Sequence, residues 1–137
     1  MIAIADTGFV VAIENQRDRY HRLCLTIYQQ AERIYMPQTV LNEVCYLLTR
    51  ERGNRAVVSF LRKLPISKFI SLALISDDIQ RTAEILDQYA DSRVDFVDAT
   101  IVAVSERLEI VNILTLDQRD FHIVRPKHTP SFTLLPA

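Results

Sequence analysis

Five short apolar runs recur along the chain: IAIA (2–5), IYM (34–36), FISLALI (69–75), IVNIL (110–114) and FTLL (132–135). Most of the stretches between them are longer and carry apolar residues at helical spacing. Alternation of short strand-like runs with helical segments predicts an α/β fold on a mainly parallel sheet of about five strands. The spacing predicts helices over 7–15, 20–31, 39–50, 54–64, 77–89 and 96–108, with Gly53 stopping the third, since glycine suits the position just past a helix end. Residues 125–130 hold two prolines and no periodic pattern, which reads as a surface loop.

With 137 residues, 49% of them hydrophobic and 24% charged, the chain is long and apolar enough to bury one core, and a single domain over 1–137 is expected. No apolar run reaches the roughly 18 residues of a membrane span. The N-terminus MIAIADTGFV shows neither a basic leader nor a cleavage site, so a soluble cytoplasmic protein is expected. Cys24 and Cys45 stand apart from each other and from any ligand motif, and read as reduced core thiols. A net charge of −1 gives no global attraction to nucleic acid, so any such binding must come from local patches. Gly8 and Gly53 are the only glycines, which speaks against a dinucleotide or nucleoside-triphosphate enzyme with a phosphate-cradling loop.

The stretch RVDFVDATIVAVSERL (93–108) places two acids, Asp95 and Asp98, at the start of an otherwise apolar helix. Removing an ionised carboxylate from water costs several kcal/mol or more unless something compensates it. Asp95 suits an N-cap. On a helical wheel Asp98 falls with Val94, Ile101 and Ser105 rather than with Thr100, Ala103 and Arg107, so it is expected to point inward or into a cleft.

In an open parallel sheet, ligands bind outside the carboxyl ends of the strands. The first run ends at Asp6-Thr7, and IVNIL leads into Thr115-Leu116-Asp117. Glu43 lies on the border of the apolar stripe of the helix that follows IYM, near the same edge. Asp6, Glu43, Asp98 and Asp117 thus converge on one side of the sheet. Four carboxylates without cations repel one another, and an all-oxygen set suits Mg²⁺ or Mn²⁺ rather than zinc. His21, His122 and His128 form no ligand cluster. Such a site best supports phosphodiester hydrolysis.

Four blocks also resemble the PIN-domain nucleases, specifically the VapC-like toxins of bacterial and archaeal toxin–antitoxin pairs: IADTGFVVA, LNEVCYLL, VDFVDATIVAVSERL and ILTLDQRDF. They span nearly the whole chain in the expected order. The resemblance implies a three-layer α/β/α fold and a metal-dependent endoribonuclease leaving a 5′-phosphate and a 3′-hydroxyl. It implies that Asp6, Glu43, Asp98 and Asp117 form the acidic site for Mg²⁺ or Mn²⁺, with Thr7 and Thr115 supporting it. Asp95 then fits either an added ligand or an N-cap, and Asp120 a loop-capping or supporting position. The implied partners are RNA, a separate antitoxin protein and a second copy of the chain in a homodimer.

Positive charge for RNA gathers at Arg50, Arg52, Arg55, Arg62 and Lys63, with a smaller cluster at Arg17, Arg19 and Arg22. Arg119 is the strongest single candidate because it adjoins Asp117. Two alternatives stand beside the nuclease. One is a catalytically silent protein that keeps the fold and binds a partner. The other is a receiver-like signalling module, for which Asp77 or Asp78 would be the phosphorylated acid and Lys127 the lysine.

Overall fold

A computed structural model describes residues 1–137. Five strands, β1 (Ile2–Ala5), β2 (Arg33–Pro37), β3 (Phe69–Leu72), β4 (Asn112–Leu114) and β5 (Thr133–Leu135), form one all-parallel sheet in the order β3-β2-β1-β4-β5. Helices α1 (Thr7–Glu14) and α2 (His21–Gln30) join β1 to β2. Helices α3 (Gln38–Arg52) and α4 (Asn54–Lys63), with a 3₁₀ turn at Leu64–Ile66, join β2 to β3. The return to the centre runs through α5 (Ser76–Gln88) and α6 (Phe96–Leu108), and the short α7 (Arg119–Ile123) leads to β5. Right-handed crossovers that step one way and then the other put α1–α4 on one face and α5–α6 on the opposite face. The main helix contacts divide accordingly, with α1 against α2 and α3, α3 against α4, and α5 against α6, while α3 also meets α6 where Thr39 bonds Thr100. The result is the expected three-layer α/β/α architecture. Its strand order differs from the 2-1-3-4-5 sheet of receiver-like modules.

Direction reverses between β1 and β4, which are neighbours in space and distant in sequence. The crevice at their carboxyl ends is where open α/β sheets bind ligands.

The core is one cluster of 28 buried hydrophobic residues. Ala3, Ile4 and Ala5 of β1 are fully buried, since helices cover both faces of a central parallel strand. Every residue of α6 from Ala99 to Ser105 is buried. Thr100 and Ala103, expected on the outer side of that helix, are therefore inside, because neighbours cover it all round. The Thr100 hydroxyl is satisfied there by Val97 O at 2.7 Å and Thr39 Oγ1 at 2.8 Å. Two bidentate ion pairs tie α5 to α6: Arg107 to Asp78, at 2.8 and 2.9 Å, and Arg81 to Glu106, at 2.7 and 3.1 Å. Asp78, one acid of the receiver-like reading, is thus 2% exposed and bound to an arginine on the neighbouring helix.

Three elements depart from expectation for identifiable reasons. The run FISLALI pairs only as far as Leu72, opposite Pro37, which has no N–H and leads directly into α3. The run IVNIL pairs only from Asn112. Glu109, with φ 55°, closes α6 in the left-handed region, and the Ile110 N–H donates to Ser105 O. Helix α7 was not expected at all. Residues 125–130 lie outside helices and strands, as predicted. Both cysteines are free, Cys24 buried and Cys45 half-buried.

Candidate active site

The register of β1 against β4 pairs Ala5 with Leu114, so Asp6 and Thr115 face each other where the two strands end. The Asp6 N–H makes a last sheet-like bond to Leu114 O at 2.8 Å. Its side chain then caps α1, Oδ1 accepting from Thr7 N at 2.8 Å, while Oδ2 accepts from the Thr115 hydroxyl at 3.0 Å. One carboxylate therefore ends a strand, starts a helix and joins the two central strands. Thr7, itself buried, donates its hydroxyl to Glu43 Oε1 at 2.6 Å, fixing the acid of α3 against the start of α1. Glu43, on the border of its stripe, is half-buried.

Asp95 is the N-cap of α6. Its Oδ1 accepts from Asp98 N at 2.9 Å, and Asp98 Oδ2 accepts in return from Asp95 N at 3.3 Å. This reciprocal cap holds Asp98, half-buried, at the start of a helix whose following turns pack inside. Asp117 differs. It is exposed, and its carboxylate meets Arg119 Nε at 3.2 Å and the Arg93 guanidinium at 3.7 Å. Its link to Asp6 runs through Thr115, whose hydroxyl accepts from Asp117 N at 3.2 Å.

The electrostatics separate the acids. Burial pushes the Asp6 carboxyl up to about 6, against the bonds from Thr7 N–H and the Thr115 hydroxyl, with the charges of Glu43 and Asp95 adding to the rise. Burial, with the charges of Asp95 and Asp6 adding to it, raises Asp98 to about 8. Asp117 moves the other way, held below the usual carboxylate range by its bond to Arg119 and the charge of Arg93. Asp6 and Asp98 are thus crowded, desolvated acids, and Asp117 is an ordinary ionised one.

A pH dependence follows. Both raised carboxyls favour their protonated form in the folded chain, relative to an unfolded value of about 4. Their stabilisation is complete below that value and is lost as the pH rises through about 6 and about 8. In metal-free buffer the melting temperature is expected to fall between about pH 4 and pH 8 and to level off above, and Asp98→Asn is expected to remove most of the slope. Calorimetric melts across that range check it, and a flat profile for the parent chain would contradict it.

The donor set consists of oxygens, as a hard divalent cation requires. No three His, Cys, Asp or Glu side chains stand together as a ligating group. Mg²⁺ does not demand one, because it commonly takes one or two carboxylates and fills its octahedron with water and substrate oxygens. Asp6 and Asp98, crowded and raised, fit that habit.

The remaining candidates are spread more widely. Arg119 is exposed beside Asp117. Arg50 stacks over the Tyr46 ring, and Arg52 donates to Glu14 O at the far end of α1. Both lie roughly 10 Å or more along α3 from Glu43, at 1.5 Å per residue, and Arg55 follows on α4. The structure therefore does not bring Arg50, Arg52 and Arg55 to the carboxylates. Asp120 is buried in the first turn of α7 with Oδ1 unpartnered, and Gln118 rather than Asp120 precedes that helix as its cap. Arg93 went unrecognised in the sequence, although its place two residues before Asp95 puts it at the same helix start.

Residues 3–125 match the PIN domain. The chain belongs to the PIN-domain family. Among PIN-domain relatives, it is 28% identical to ribonuclease VapC26 of Mycobacterium tuberculosis over 97% of this chain and 99% of that protein. The crystal structure of VapC20 from the same organism, a sarcin-ricin loop cleaving toxin, superposes with a TM-score of 0.77 at 25% identity. That match covers 86% of this chain and 92% of the other. VapBC2 of Rickettsia felis, solved on a promoter DNA fragment, shares the PIN fold at a TM-score of 0.71 and 15% identity over 98% of this chain and 97% of its own.

Proposed function

We propose that residues 1–137 form a single metal-dependent endoribonuclease domain, the toxin of a toxin–antitoxin pair, working in the cytoplasm. The observation that carries this reading is the crowding of Asp6 and Asp98 at the strand-order reversal, both raised in pKa and neither paired with a cation. Similarity over nearly full length to a protein named as a ribonuclease supports it, as does similarity to one described as a loop-cleaving toxin. No helix is long and apolar enough to cross a membrane.

Asp6, Asp98 and Asp117 would hold Mg²⁺ or Mn²⁺. When bound, such a cation lowers the pKa of water and stabilises charge on the attacked phosphate. The chain's own residues supply orientation. Thr115 fixes one oxygen of Asp6, and Thr7 fixes Glu43, which would orient the attacking water. Asp95 holds the start of α6 and adds negative charge beside Asp98. Arg119 and Arg93 compensate Asp117 and would turn to substrate phosphates. Arg50, Arg52 and Arg55 would contact a longer RNA beyond the site. Attack in line with the leaving oxygen leaves a 5′-phosphate and a 3′-hydroxyl. A separate antitoxin would silence the site by inserting a cation among the carboxylates, and the active unit would be a homodimer.

The test is incubation of purified protein with mixed tRNA and rRNA, in Mn²⁺ and in EDTA. Cleavage is expected only with the cation, with 3′-hydroxyl ends that poly(A) polymerase extends. Cleavage equal in EDTA would overturn the metal site. Mn²⁺ binding without cleavage of any RNA would favour the silent binding protein instead.

A further inference from the structure

A recess of about 560 Å³ opens beside the carboxylates, between the start of α3, the start of α6 and the connection after β3. Glu43 forms part of its wall and so belongs to both the recess and the acidic site. Phe96, from the first turn of α6, is 49% exposed there, although the turns that follow are buried. Gln38 and Asn42, four residues apart on α3, present exposed carboxamides to the same recess. The hydroxyl of Thr39 between them bonds Thr100, and Glu43 accepts from Thr7, whereas neither carboxamide makes a hydrogen bond within the chain.

These groups define a ligand. A flat aromatic face suits a planar ring, and each carboxamide offers both a donor and an acceptor to its edge. Glu43 is the only charged residue of the lining, so an anion would find no cation. A purely aliphatic group would leave both carboxamides unpaired. Arg93 and Arg119, which suit phosphates, gather instead at Asp117, outside the recess.

We propose that this recess takes up an unpaired nucleobase of the RNA, stacked on Phe96 and read at its edge by Asn42 and Gln38. The base would belong to a nucleotide beside the attacked phosphate, so these residues would set the preferred cutting sequence. The inference rests on the nuclease reading and adds the place where it discriminates among RNAs.

The test measures binding of fluorescent RNA hexamers by anisotropy, with Ca²⁺ replacing Mn²⁺ to hold cleavage back and each nucleotide in turn made abasic. Wild-type binding is expected to weaken about ten- to hundredfold at one position, as removal of a stacked base does. Phe96→Ala should abolish that difference and Phe96→Tyr retain it. Asn42→Ala should change which of the four bases is preferred there, while Mn²⁺ binding by calorimetry stays the same in all three variants. Discrimination in Phe96→Ala equal to wild type overturns the proposal, as does a wild type indifferent to every abasic position. If Phe96→Ala discriminates like wild type but sediments as a smaller species, the recess is a contact between copies of the chain. Failure of the nuclease reading is distinct: base discrimination would persist while wild type cleaves no RNA in Mn²⁺.

Discussion

Asp98→Asn is expected to lower RNA cleavage by on the order of a thousandfold, several kcal/mol of lost transition-state stabilisation, while leaving the chain folded. The substitution keeps the shape of the side chain and an oxygen able to accept from Asp95 N–H, so the start of α6 survives. It removes a carboxyl that burial and two neighbouring acids push up to about 8. The metal-free variant should therefore melt higher than wild type near pH 8, where the parent carboxyl begins to ionise against its surroundings. Single-turnover cleavage and a thermal melt at that pH read the two effects separately. A variant that unfolds would assign Asp98 to structure, and one that cleaves normally would remove it from the site. Asp6→Asn makes a parallel case, because asparagine caps helices as well as aspartate does and α1 should persist.

Ile101→Asp, three residues further along the same helix, should do the opposite. Ile101 is fully buried in the central cluster, and α6 is covered on all sides at that level. A carboxylate placed there has no arginine or helix start to meet it, and the cost is roughly 4 kcal/mol or more. Against a total stability of about 5–15 kcal/mol for an ordinary domain, that leaves a chain unfolded or nearly so at 37 °C. Urea unfolding followed by near-ultraviolet circular dichroism measures it. A variant with the wild-type midpoint would mean that Ile101 does not sit in the core.

This contrast explains what the sequence made legible. The helix 96–108 could be recognised from its apolar content, and Asp98 stood out because it interrupts that content. Asp6 and Thr115 could be recognised because each directly follows a strand-like run, and strand ends are where parallel sheets build sites. What escaped notice depended on partners distant in the chain. Nothing in FISLALI shows that its pairing stops at Leu72, because the limit lies in Pro37, whose missing N–H ends the neighbouring strand. Helix α7 has only five residues, too few for a periodic pattern. The same holds for charge. The pairing of Arg93 with Asp117 depends on the fold bringing the start of α6 to the end of β4, whereas Arg119, two residues from Asp117, was legible as its neighbour. Arg50, Arg52 and Arg55 looked prominent as a cluster in the sequence, but α3 carries them away from Glu43. The signal for Phe96 in the sequence is an aromatic residue at the first position of an otherwise buried helix.

The hydrogen bond between Thr115 and Asp6 joins residues 109 positions apart. Asp6 is therefore synthesised well before the partner that orients it. Until β4 arrives, β1 lacks the neighbour that orients Asp6, and α6 has no completed sheet to pack on. A nascent chain therefore carries the acids without holding them in place. Long-range pairings of this kind form late and cooperatively. The delay sets an order of events: the Asp6 carboxylate gains its bond from the Thr115 hydroxyl only once β4 has been made and has paired with β1.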